Sequence, residues 1–103
     1  MSQYIYIIRD IINKNFYKIG ISKEPQKRIF NLQTGNPNKL KLIFELIVNK
    51  NINSRDVEKV IHTYLKEQNM LISGEWFKIE SEDFVFNLAK TLLTVGQNRK
   101  QLT

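Results

Sequence analysis

The hydrophobic and polar pattern predicts three strands in the first half of the chain. Residues 3–8 and 16–21 are β-branched and aromatic runs, and Asn13-Lys14-Asn15 between them suits a tight turn, so a hairpin is expected. Residues 40–48 alternate between apolar and mostly polar side chains. This period of two predicts a third strand with one fully apolar face, formed by Leu40, Leu42, Phe44, Leu46 and Val48.

Two helices are predicted before residue 70. Pro25 suits a first helical turn, and this helix is expected to run to about Thr34 and to stop at Gly35. Its inward side chains are Ile29 and Leu32, with Phe30 as a further candidate. The second helix has a cap at Asn53 or Ser54 and a single buried stripe at helical spacing, made of Val57, Val60, Ile61, Tyr64 and Leu65.

The remaining chain predicts a short strand and a last helix. Residues 75–79 read as the strand, and the helix begins near Ser81 with two carboxylates in its first turn and ends at Gly96. The side chains expected to pack inward are Phe84, Val85, Leu88, Ala89, Leu92 and Val95. Residues 1–96 are therefore expected to form one domain, and residues 97–103 a polar, frayed tail. The order ββαβαβα predicts a small α/β (α+β) sandwich around a mixed or antiparallel sheet.

Composition narrows the functional classes. The 103 residues include no cysteine and one histidine, which excludes a disulfide scaffold, a thiolate zinc site, a cysteine nucleophile and a His-rich metal site. No apolar run is long enough to span a membrane, and no signal peptide is recognised at the N-terminus, so a cytoplasmic location in the host cell is expected. The net charge of +6 resides in residues 1–50, so a polyanion is expected to bind mainly to this half of the chain. Many basic domains, however, bind no nucleic acid.

Six features in order resemble the GIY-YIG nuclease superfamily, and more narrowly its phage and viral branch. They are Tyr4-Ile5-Tyr6, Lys18-Ile19-Gly20, Arg28, Glu58, the spacing from Glu58 to His62, and Glu75-Trp76-Phe77. The resemblance covers about residues 3–80. It implies a three-stranded sheet flanked by helices and cleavage of DNA, duplex or branched, with one divalent metal ion, Mg²⁺ or Mn²⁺.

The resemblance also implies roles for individual residues. Tyr6 lines the site or activates the attacking water, Lys18 replaces a tyrosine of the second tripeptide, and Arg28 meets the phosphate. Glu58 holds the metal, and Gly20 keeps the backbone close to the site. Tyr4 stands where the first tripeptide usually has glycine, and it is expected beside Tyr6 as a structural residue of the site.

The residues themselves partly converge on the same chemistry. Mg²⁺ commonly binds through one or two carboxylates, so a site with Glu58 alone is physically acceptable. Lys23, Lys27 and Arg28 are candidate nucleic-acid contacts in the basic half. The residues do not decide the identity of the general base, and the candidates are Tyr6, a neutral Lys18 and His62. Each residue also has an ordinary interpretation as a sheet aromatic, a solvated charge or an exposed helical pair.

Three functions are compatible with these features. The leading one is a metal-dependent DNA endonuclease in which Tyr6, Lys18, Arg28, Glu58 and His62 form the catalytic set. The second is a nucleic-acid-binding module that kept the fold and lost cleavage, which the altered tripeptides favour. The third is a protein-interaction domain with an incidental basic surface.

Overall fold

A computed structural model describes the backbone of residues 3–97 and the side chains of residues 3–94. Eight elements follow one another in it: β1 (Tyr4–Asp10), β2 (Phe16–Ser22), α1 (Pro25–Gln33), β3 (Leu40–Ile47), α2 (Ser54–Glu67), β4 (Leu71–Ser73), β5 (Trp76–Lys78) and α3 (Glu82–Gln97). Within the described backbone, no helix combines the length and the apolar character needed to cross a membrane.

All five strands form one antiparallel sheet in the order β3-β1-β2-β5-β4. The predicted β1–β2 hairpin is confirmed, but the sheet has five strands where three were expected, and the elements follow the order ββαβαββα where ββαβαβα was expected. The strand missing from that order is β4, whose three residues are too few to show a hydrophobic period. A tight turn at Gly74, which adopts a φ of 58°, pairs β4 with β5. Positive φ is readily adopted by glycine, so this position allows the second hairpin.

The sheet is covered on both faces. On one face, β1 and β2 pack against α2 and α3 around a core that includes Ile5, Ile7, Ile19, Leu65 and Phe77. On the other face, a smaller cluster of Tyr6, Ile8 and Leu40 packs against Ile29 and Leu32 of α1 and against Trp76. Because β1 is covered on both sides, its residues from 5 to 8 are all buried. The two tyrosine-bearing positions of the first tripeptide therefore face α1, away from the main core.

The fully apolar face predicted for β3 is divided between the two cores. The residue opposite Ile8 is Leu42 and the residue opposite Ile7 is Phe44, so Ile43 is an extra residue in a β-bulge. A bulge shifts the alternation of side chains by one position. Leu40 and Leu42 consequently pack in the α1-side cluster, whereas Phe44 and Leu46 pack in the main core.

The helices begin where the sequence indicates, but they bury fewer side chains. Asn53 is confirmed as the cap of α2, since its side chain accepts hydrogen bonds from two backbone N–H groups, and Ile61 and Leu65 are buried. Val60 is 68% exposed and Tyr64 45%, because α2 and α3 leave a cavity of about 420 Å³ between them, lined by both residues. Phe30 on α1 is also exposed.

The last helix is confirmed near its start and extends past its predicted end. The Ser81 hydroxyl accepts a hydrogen bond from the Phe84 N–H, and Val85 and Leu92 are buried. Gly96 does not end α3, which continues through Gln97. The inward direction expected for Val95 and the tail expected beyond residue 97 lie outside the described residues.

Candidate functional site

The site forms in a notch of the sheet beside β2. β5 pairs only with residues 16–18 of β2, so within the described residues Gly20–Ser22 have no strand beside them on this side. The register places Gly20 opposite Tyr6, and Lys18 opposite both Ile8 and Trp76. Tyr6, Lys18 and Gly20 therefore project on the α1 side, next to an opening that a residue of α2 can reach.

Gly20 is required by the close approach of Tyr6. A Cβ atom on Gly20 would lie 2.6 Å from the Tyr6 hydroxyl oxygen and 2.8 Å from the ring carbon that carries it. It would also lie 3.0 Å from Oε1 of Glu75. Tyr6 is 1% exposed, so its ring has little room to move away. The missing side chain of Gly20 thus leaves the space in which the phenol and the Glu75 carboxylate come together.

Lys18 and Glu75 form a partly buried ion pair. Nζ of Lys18 lies 3.1 Å from Oε1 of Glu75, and it also lies 5.8 Å from the centre of the Trp76 ring. Glu75 occupies the turn between β4 and β5, and its backbone carbonyl accepts a hydrogen bond from the Ile19 N–H. The turn therefore holds a carboxylate over Lys18 and beside Gly20.

Glu58 reaches the same carboxylate from α2. Burial raises the pKa of the Glu58 carboxyl above 4.5, and the nearby Glu75 carboxyl, close enough to share a proton, raises it further. His62 and Arg55 oppose this effect. Oε2 of Glu58 is buried without a hydrogen-bond partner among the described residues. The site thus contains two carboxylates that repel each other and one buried carboxylate oxygen that lacks a partner among the described residues.

Tyr6 is the most deeply buried polar group of the site. Burial raises the pKa of its hydroxyl above 10.0, the Arg28 guanidinium lowers it, and the Glu75 and Glu58 carboxylates raise it. Among the described residues this hydroxyl has no hydrogen-bond partner of good geometry. A phenol with a raised pKa keeps its proton near neutral pH, so the Tyr6 hydroxyl is available as a hydrogen-bond donor.

His62 lies next to Glu58 on α2 but is directed at the backbone of β2. Its Nε2 is 2.7 Å from the carbonyl oxygen of Ile19, and its ring packs 5.1 Å from that of Phe77. Because a carbonyl oxygen only accepts, Nε2 carries the proton in this contact. Nδ1 is then the nitrogen left to accept a proton, so the contact restricts the orientation in which His62 can act as a base.

The structure gathers most of the predicted site residues and leaves three at its margin. Tyr6, Lys18, Gly20 and Glu58 lie near the Glu75 carboxylate, Arg28 lies beside the Tyr6 hydroxyl, and His62 is on the adjoining turn of α2. Tyr4 lies two residues before Tyr6 on the same strand, half-buried. Lys23 and Lys27 are exposed, and Nζ of Lys27 lies 3.6 Å from Oε1 of Glu24.

Glu75 is the site residue that sequence reasoning missed. Its signal was present in the tripeptide Glu75-Trp76-Phe77, which carried part of the resemblance without any role being assigned to the glutamate. Only the turn that β4 makes with β5 places this side chain against Lys18 and Glu58.

The donor set fits a hard divalent cation. In residues 3–94 no group of three or more His, Cys, Asp or Glu side chains is arranged as a metal cage. Mg²⁺ needs no such cage, because one or two carboxylates suffice when substrate oxygens and waters supply the remaining ligands. The partnerless Oε2 of Glu58 and the adjacent Glu75 carboxylate provide that minimal set.

Comparison with known proteins identifies the family. The model of the T5orf172 domain matches residues 3–91, which include every residue of the site. The chain belongs to the T5orf172 domain family. This is a family of nuclease-type domains, consistent with nuclease-like activity or DNA binding in general. No curated protein and no solved structure matches the T5orf172 domain of this chain significantly.

Proposed function

We propose that this T5orf172 domain is a metal-dependent endonuclease of the GIY-YIG type, in its phage and viral branch, that hydrolyses DNA phosphodiester bonds. The observation that carries the proposal is the convergence of Tyr6, Lys18, Arg28, Glu58 and Glu75 from five different segments on one notch. Cations, a buried hydroxyl and carboxylates are the groups that phosphodiester hydrolysis needs.

Each side chain of the notch has a role in this proposal. Glu58 and Glu75 hold one Mg²⁺ or Mn²⁺, which when bound supplies charge stabilisation for the phosphate oxygens. Arg28 at the mouth of the notch binds a non-bridging oxygen of the scissile phosphate. Lys18, whose Nζ lies 3.1 Å from Oε1 of Glu75, would add a second positive charge beside the phosphate.

Tyr6 orients the attacking water. Its hydroxyl is protonated near neutral pH, buried, and held against Gly20, so it donates a hydrogen bond from a fixed position. His62 accepts the proton of the water through Nδ1, since its Nε2–H is engaged by the Ile19 carbonyl. A fixed donor of this kind favours the transition state because no reorganisation is needed during the reaction.

The test is plasmid cleavage with Mg²⁺ or Mn²⁺ by the wild type, Glu58→Gln and Arg28→Ala. Glu67→Gln is the matched control, because Glu67 is an exposed carboxylate on the same helix. We expect cleavage by the wild type and Glu67→Gln, and a loss of at least about 100-fold in Glu58→Gln. Wild-type cleavage no faster than that of Glu58→Gln would exclude the enzyme. Salt-sensitive DNA binding without cleavage would identify the binding module instead.

A further inference from the structure

A second groove opens from the site along α2. It is a cavity of about 300 Å³ that begins at Glu58 and His62 and runs between α2 and the β4–β5 hairpin. Lys59 and Lys66 line its helical wall, Gly74 lies on the opposite wall and Phe77 is at its base. A Cβ atom on Gly74 would meet nothing within 4 Å, so this wall is open at the top. We call this cavity the α2 groove.

The helical wall of the α2 groove is positively charged. At about 100° per residue, Arg55 and Lys66 project within about 40° of Lys59, so the three cations form one stripe. Asp56 and Glu67 project about 60–80° away from Lys59 on the side opposite Glu58. Among residues 3–94, no carboxylate lies within 4.0 Å of the side-chain nitrogen of Lys59 or Lys66. This cationic stripe therefore carries positive charge that no described ion pair neutralises.

The stripe is continuous with the candidate active site. Arg55 is close enough to Glu58 to lower the pKa of its carboxyl, and Glu58 and His62 line the groove as well as the site. The β4–β5 turn joins the two places, because Gly74 lines the groove and Glu75 enters the site. A strand whose scissile phosphate lies at Arg28 and Lys18 can thus leave the notch along α2.

We propose that the α2 groove binds the sugar–phosphate backbone of the nucleic-acid strand next to the scissile phosphate, through Lys59 and Lys66. This inference rests on the proposed function and adds a substrate track on α2, outside the basic first half of the chain. Lys59 and Lys66 are seven residues apart, about 10.5 Å along the helix axis, so they contact two different phosphates. The open wall at Gly74 lets the backbone enter from the side.

The test measures how the affinity for a fluorescent oligonucleotide depends on salt, with EDTA present so that binding is separated from cleavage. Each phosphate contact contributes about 0.7 (single strand) or 0.9 (duplex) to the slope of log K against log salt. We expect the slope of Lys59→Ala/Lys66→Ala to be smaller than that of the wild type by about 1.4 to 1.8. Alanine favours the helix, and unchanged far-ultraviolet circular dichroism checks that α2 is intact.

The matched control is Lys41→Ala/Lys90→Ala, which removes the same charge elsewhere. Lys41 is exposed on β3, at the opposite edge of the sheet from β4, and Lys90 is exposed on α3. We expect this control to keep the wild-type slope. An unchanged slope in Lys59→Ala/Lys66→Ala, or an equal decrease in both double variants, would show that the α2 groove does not bind the sugar–phosphate backbone. Neither result would contradict the proposed function. Absence of nucleic-acid binding by the wild type would overturn both.

Discussion

Oε1 of Glu75 lies 3.1 Å from Nζ of Lys18, and this contact fixes the β4–β5 turn against β2. The side chain of Lys18 is 9% exposed, whereas that of Glu75 is 36% exposed. The lysine is therefore the partner that depends on the contact, because an ammonium removed from water needs a compensating charge. The carboxylate, in contrast, is open enough to exchange Lys18 for another cation.

Replacing Glu75 with glutamine should destabilise the protein. The variant leaves the buried Lys18 ammonium without a charged partner, and the half-open position of Glu75 limits the cost to about 1–2 kcal/mol in the free energy of unfolding. Urea denaturation measures this value. Glu80→Gln is the control, since Glu80 and Lys78 form an exposed pair 3.8 Å apart whose removal should cost less than about 0.5 kcal/mol. Equal costs in both variants would mean that Lys18 does not rely on Glu75.

The same substitution should lower the pKa of Glu58. The Glu75 carboxylate raises the pKa of the Glu58 carboxyl by repulsion and by sharing a proton. The Glu75→Gln variant removes the repulsion, so the pKa of Glu58 should move down toward 4.5. A titration of the side-chain carboxyl carbons followed by NMR measures both values. An unchanged pKa of Glu58 would show that the two carboxyls do not interact.

Replacing Glu58 with glutamine should stabilise the protein at neutral pH. The folded state holds the Glu58 proton more tightly than the unfolded chain, so the stability of the wild type falls as pH rises from about 4.5 through the raised pKa. Glu58→Gln has no carboxyl at this position and does not lose stability in this way. It should therefore be more stable than the wild type above pH 4.5, and this difference should persist at pH 7. Thermal denaturation at several pH values measures this difference in stability, because each kcal/mol shifts Tm by about 4–8 °C in a domain of this size. A variant less stable than the wild type at pH 7 would contradict the unfavourable burial of this charge.

Replacing Gly20 with alanine should displace Tyr6. The added Cβ would approach the phenol oxygen to 2.6 Å, and overpacking of this kind costs about 1–3 kcal/mol in the free energy of unfolding. The cost should be smaller in a Tyr6→Phe background, where the nearest clashing atom is absent. A double-mutant cycle by denaturation measures the coupling between the two positions. If the costs of Gly20→Ala and Tyr6→Phe were additive, the added Cβ would not be clashing with the Tyr6 hydroxyl.

Asp10 should stabilise the fold near neutral pH and make it sensitive to acid. Burial raises the pKa of its carboxyl, but hydrogen bonds from the Asn38 side chain and from the N–H groups of Asn13 and Ile12 lower it more, to a net value below 3.8. The wild type should therefore lose stability as pH falls from about 3.8 through the lowered pKa, and Asp10→Asn should lose less over this range. At pH 7 the variant should be less stable by about 1–3 kcal/mol. Asp83→Asn, which changes an exposed carboxylate on α3, is the control for stability at acidic pH and for stability at pH 7.

The sequence predicts the elements of this fold better than it predicts their partners. Local chemistry marks the hairpin at Asn13-Lys14-Asn15 and the cap at Asn53, and both are present in the structure. The burial of Val60 depends on how closely α3 approaches α2, which is a long-range property that a helical period does not contain. β4 is three residues long and is defined by pairing, so no pattern within it could have predicted it.

In the candidate site, too, the residues could be predicted from the sequence, but the contacts that depend on other elements could not. The resemblance named Tyr6, Lys18, Arg28 and Glu58, and the structure brings these residues together from separate elements. Glu75 was missed because its position depends on a two-residue turn that only Gly74 makes possible. The direction of His62 was equally open, since it depends on the carbonyl of Ile19 in another element.

The bulge at Ile43 also has a consequence for encounters between chains. β3 is the outermost strand of the sheet, so one side of its backbone has no neighbouring strand among the described residues. A regular strand in this position is a template on which another molecule can add its own strand and begin to aggregate. The extra residue interrupts that template midway, and the exposed charges of Lys41 and Glu45 flank the interruption. The irregularity that divides β3 between two cores thereby helps to keep each molecule separate.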